Sequence, residues 1–100
     1  MIPLRTEIAS DFAQLEQIAP SWNRLWYGGR QDIFTHFAWA RAAWRARGAE
    51  QSLCTPVVFA GDRVVAILPL VLEREHLQFL GSPCGVYNDI LCEPEADAAV

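Results

Sequence analysis

One hundred residues, 52% hydrophobic and 20% charged, suffice for one packed domain and are too apolar for a disordered chain. The net charge is -4 and the eight basic residues are all scattered arginines, so no basic stripe can track a phosphate backbone and nucleic acid is excluded as a partner. The absence of lysine removes Schiff-base chemistry and the P-loop.

The start, Met1-Ile2-Pro3-Leu4-Arg5-Thr6-Glu7, has no apolar stretch of signal-peptide length. The longest apolar run, Val64 to Leu72, falls well short of the roughly 20 residues that cross a bilayer. No membrane insertion is expected. Three cysteines, Cys54, Cys84 and Cys92, are an odd number without close pairing, as suits reduced thiols in a cytoplasm.

In chain order, Leu4 to Ile8 reads as a short first strand. Ser10 or Asp11 can cap the helix that follows, since a short side-chain oxygen accepts its first free amide hydrogens. Phe12, Leu15, Ala19, Trp22 and Trp26 then recur at steps of three and four, the apolar face of an amphipathic helix. Pro20 interrupts that run, giving a kink or two abutting helices. The apolar phase survives the proline, which favours a kink on a shared axis. Tyr27-Gly28-Gly29-Arg30 reads as a loop. A second helix is expected from an N-cap near Thr35 to a stop at Gly48, with an apolar arc wide enough to touch more than one neighbour.

The period then changes. Leu53 to Ala60 reads as a strand, Gly61-Asp62 as a two-residue hairpin turn and Arg63 to Glu73 as the partner strand. Val64 to Leu68 does not alternate, so both faces of that strand should be covered. Pro56 and Pro69 should mark bulges or gaps in the ladder. Arg74-Glu75 turns the chain into a strand from His76 to Leu80, Gly81-Ser82-Pro83 ends it, and Tyr87 to Cys92 is extended. Glu93 to Val100 reads as the start of a helix. The expected class is α+β (α/β layered), two helices against a mainly antiparallel sheet in β-α-α-β-β-β-β order.

Three stretches carry a family resemblance: Ile33-Phe34-Thr35-His36-Phe37-Ala38-Trp39 continuing to Trp44; Val64-Val65-Ala66-Ile67-Leu68-Pro69-Leu70-Val71-Leu72-Glu73; and Leu77-Gln78-Phe79-Leu80-Gly81-Ser82-Pro83 followed by Tyr87-Asn88-Asp89. With them the chain resembles the N-terminal part of the two-lobed, CelD-like bacterial acetyltransferases of the GNAT type, relatives of the Fem peptidyltransferases. The resemblance implies a partial GNAT-like fold, with residues 1–100 forming a single and incomplete N-terminal lobe. It implies acetyl transfer from acetyl-CoA to a small-molecule amine acceptor in the intact protein. The partners it implies are a missing C-terminal lobe or a second copy in self-association. In GNAT enzymes a glycine-rich turn and helix after the strand matching Leu77 to Leu80 bind the coenzyme's pyrophosphate. Gly81-Ser82-Pro83-Cys84-Gly85 lacks that spacing, so no cofactor-binding residue is assigned, tight coenzyme binding by this chain is not expected, and it should be inactive alone. The alternative is a non-catalytic dimerisation or regulatory module.

Among candidate site residues, Tyr87 can donate a proton, and Asn88 and Asp89 can hold an acceptor substrate; against this, the two polar residues can simply make turn hydrogen bonds. His36, at a helix start, can be an acid or base, or merely a cap. His76, beginning a strand, has no stronger claim. Trp39, opposite Trp44 on its helix, can face the missing lobe, whereas helical spacing places the tryptophans as a group in the core. No Cys-x-x-Cys occurs, so no metal site is assigned, and Cys54 within a strand reads as a small apolar side chain.

Overall fold

Alternating contacts with a neighbouring strand hold the start of the chain extended. Leu4–Ala9 form β1, one residue longer than its sequence pattern suggests. The computed structural model describes residues 3–29, 36–80 and 91–93. In it β1 is followed by α1 (Phe12–Gln17), α2 (Ala19–Gly28), α3 (Phe37–Arg47) and a 3-10 turn (Gly48–Glu50). The strands β2 (Ser52–Leu53), β3 (Thr55–Ala60), β4 (Arg63–Ile67), β5 (Leu70–Glu73), β6 (His76–Phe79) and β7 (Leu91–Cys92) complete the order. The class is α+β, as expected.

Asp11 rather than Ser10 caps α1. Its Oδ1 accepts from Gln14 N at 3.0 Å, and Gln14 Oε1 accepts in return from Asp11 N at 3.1 Å and Ser10 N at 2.7 Å. Of the two outcomes expected at Pro20, the structure has two abutting helices and not the favoured kink on a shared axis. Ile18 ends α1 and begins α2, and Pro20 sits in the first turn of α2, where its missing N–H costs little. Tyr27 and Gly28 belong to α2 rather than to a loop. The N-cap of α3 is His36; Thr35 lies outside the described residues.

The three helices share an aromatic seam. Trp44 stacks on Phe12 (5.9 Å between centroids), Phe12 on Phe37 (5.7 Å), and Phe37 meets Trp22 edge-on (5.3 Å). Trp22, Leu15, Ile67 and Val71 are fully buried and form one core with Leu25, Phe37, Val57 and Leu91. Gly48 lets α3 end on its own side chain: a Cβ there would lie 2.7 Å from the Trp44 ring.

The strands form two antiparallel sheets, ordered β1-β3-β4-β7 and β2-β5-β6. The hairpin turn at Gly61-Asp62 is as read, with Gly61 at φ 64°. Val64, Val65, Ala66 and Ile67 are all buried, as the unbroken apolar run implied. The register shifts between Val58 and Phe59, leaving Val65 as the extra residue of a bulge.

The long hairpin divides where Pro56 comes opposite Leu68, the residue before Pro69. Pro56 accepts from Leu68 N at 3.0 Å but has no N–H to give back. The Leu68 carbonyl takes its hydrogen from Leu70 N instead, at 2.8 Å, a γ-turn about Pro69. Beyond this point the strand pair belongs to the second sheet. The continuous strands expected over Leu53 to Ala60 and Arg63 to Glu73 are therefore each interrupted, at Cys54 and at Leu68-Pro69. Cys54 thus lies in a gap and not within a strand.

Candidate functional site

The gap between the sheets is held by hydrogen bonds that belong to neither ladder. The Leu70 carbonyl accepts from Cys54 N at 3.1 Å and from Thr55 Oγ1 at 2.9 Å. This explains how a threonine can be fully buried, because its hydroxyl has a partner. Leu80 N donates to the Pro69 carbonyl at 2.8 Å, which ties the end of β6 to the γ-turn.

From this junction β6 runs as the last strand of its sheet, paired to β5 from Leu70↔Phe79 to Glu73↔His76. Among the described residues its outer side has no neighbouring strand. Pairs alternate in character along the ladder. Leu72↔Leu77 is an apolar pair left exposed, while Val71↔Gln78 sets a fully buried valine against a half-buried amide. Gln78 Nε2 donates to Glu73 Oε2 at 3.2 Å. The chemical capacity of this strand is main-chain pairing with an extended ligand, beside a short apolar strip.

His36 and Trp39 fall on one turn of α3, where Trp39 N donates to the His36 carbonyl at 3.0 Å. His36 Nδ1 accepts from Ala38 N at 3.0 Å, and its ring stands edge-on to Trp26 at 4.6 Å. A nitrogen that caps a helix is engaged in structure, so His36 is a cap residue here. Trp39 is half-buried. Tyr87, Asn88, Asp89 and Cys84 lie outside the described residues. Cys54 and Cys92 are half-buried and not joined in a disulfide; Cys54 lies in the gap between β2 and β3, and Cys92 in β7. His76 is exposed, opposite Glu73. No three His, Cys, Asp or Glu side chains gather to hold a metal ion among the described residues.

One polar cluster has no counterpart in the sequence reading. Glu93 follows β7 and its N–H donates to the Val65 carbonyl at 3.0 Å; the rest of the helix start expected over Glu93 to Val100 lies outside the described residues. Its Oε1 accepts from Arg24 Nη1 at 2.7 Å and from Arg63 Nε at 2.5 Å, and Arg24 Nη2 also donates to the Val64 carbonyl. Hydrogen bonds from Arg24, then from Arg63, hold the Glu93 carboxyl below its ordinary value of 4.5. The cluster fastens α2 to β4 and β7. A weak signal was present: Arg24 is the one charged residue of α2.

No family model, no curated protein and no solved structure matches the chain. Among the described residues, no helix is long and apolar enough to cross a membrane.

Proposed function

We propose that this chain is the front of an acyl-CoA-dependent N-acyltransferase lobe, which in its complete form moves an acetyl group from coenzyme A to an amine. The observation that carries the reading is β6, among the described residues an edge strand at the end of an antiparallel meander whose hairpin divides at Pro56 and Pro69. The arm of coenzyme A is an extended chain with amide groups, and such a chain is matched by the free amides and carbonyls of a strand edge. Backbone donors at such an edge also polarise a thioester carbonyl without reorganising. His36, committed to its helix cap, is not assigned as the base. Tyr87, Asn88 and Asp89 keep their roles as candidates for the acceptor side, and Trp39, on the side of its helix that can face the missing lobe, is a candidate for substrate binding.

A non-catalytic module is the second reading, favoured by the β1 edge, which has no neighbouring strand among the described residues and where Leu4 and Ile8 are 61% and 51% exposed. Calorimetric titration with acetyl-CoA separates the two. The acyltransferase reading expects weak, saturable heat that free acetate does not reproduce. No heat at millimolar ligand sinks it and leaves the module.

A further inference from the structure

Edge strands usually carry features that stop them pairing with a copy of themselves: a proline, a bulge, charged side chains or very short length. Between Leu4 and Ala9, β1 has no proline and no bulge, and its charged side chains are of opposite sign. It pairs with β3 over an unbroken register from Leu4↔Ala60 to Ala9↔Thr55, and among the described residues nothing pairs with its other side. Its two charges, Arg5 and Glu7, are of opposite sign and sit symmetrically about Thr6. Leu4 and Ile8 flank them with the same symmetry.

We propose that β1 pairs antiparallel with β1 of a second copy across a twofold axis at Thr6, joining two four-stranded sheets into one. In this register Arg5 lies opposite Glu7 of the second copy, twice, and Leu4 lies opposite Ile8 of the second copy, twice. Side chains directly opposite each other in an antiparallel pair share a face. The charge pairs then fall on the face of Ala9, the one buried residue of β1, and the exposed apolar pairs fall on the other face. Other registers fail. A shift of one residue turns the two helical layers to opposite faces of the joined sheet. A shift of two sets Arg5 against Arg5 or Glu7 against Glu7, and like charges directly opposite are repulsive. Arg5 already donates through Nε to Glu7 at 2.9 Å and through Nη1 to the Gly61 carbonyl at 3.4 Å. A guanidinium carries five donors, so this leaves capacity for a carboxylate across the axis.

The test is sedimentation velocity over a concentration series, with the full chain. Wild type is expected to dimerise reversibly. Arg5→Glu and Glu7→Arg alone should each weaken the dimer by at least about tenfold, since two attractive pairs become repulsive. The double exchange R5E/E7R should restore it. Thr6→Cys should form a disulfide-linked dimer under mild oxidation, because twofold-related Cα atoms at the axis lie about 4.5–5.5 Å apart. Leu4→Cys, far from its own copy, should cross-link no more than wild type. A monomer at every concentration, a dimer indifferent to the single exchanges, a double exchange that stays dissociated while folded by circular dichroism, or equal cross-linking at positions 4 and 6 would each overturn the proposal.

Discussion

Gly48 illustrates how a residue type can be predicted for one reason and required for another. A glycine after an apolar helix reads as a stop that takes a positive φ, but Gly48 has φ −61° and needs its missing Cβ for a different purpose. The Trp44 ring occupies that space. Gly48→Ala should force the ring out of its stack with Phe12 and cost about 1–3 kcal/mol, measured as a lower urea midpoint at unchanged m-value. The opposite case is the turn between β5 and β6. Arg74 and Glu75 both take positive φ, 51° and 69°, where side chains are strained. Glu75→Gly should therefore stabilise the fold by about 0.5–1 kcal/mol, visible as a higher Tm. That turn was legible because two charged residues stand between apolar runs; its strain was not, because sequence shows turns by composition and not by φ.

At the same scale, Glu93 gives the fold a pH dependence. A carboxyl held below its ordinary value stabilises the folded state above about 4.5, and that contribution disappears as pH falls through the folded value. Glu93→Gln should lower stability at neutral pH by about 1 kcal/mol, the scale of a partly exposed ion-pair network. Near pH 3 the difference from wild type should have shrunk. Paired urea titrations at the two pH values check both the size and the direction.

Elements were mostly legible, and their junctions were not. The helices declare themselves by apolar residues at steps of three and four, and the hairpin by glycine and aspartate between β-branched runs. The break at Ile18 is a competition between a continuous apolar face and a proline that fits best in the first turn of a new helix; position within the helix decided it. The division of the hairpin needed Pro56 opposite the Leu68-Pro69 step, a juxtaposition that exists only once the register is known. The capping box of α1 is local and readable, since it joins residues three apart. Asp11→Ala should cost about 1 kcal/mol through lost N-terminal hydrogen bonds, and the circular dichroism of the folded state should hardly change. An unchanged urea midpoint would mean that packing, rather than the cap, sets the start of α1.

At the scale of the whole molecule, the proposed scaffold for an extended ligand rests on β6, which among the described residues is the last strand of its sheet. The order and periodicity of the elements foretold an α+β core. They did not foretell which strand edges stay open, because edges follow from sheet order, which non-local pairing sets. Among the described residues the outer sides of β6 and β1 have no neighbouring strand, and these are the edges proposed above for ligand pairing and for self-pairing. Backbone amide NMR shifts during titration with acetyl-CoA test the central claim most directly. The largest changes are predicted along Leu77 to Leu80 and at Cys54 and Leu70, beside the proline gap. Shifts confined to β1 and the helices, or none at saturating ligand, would contradict it.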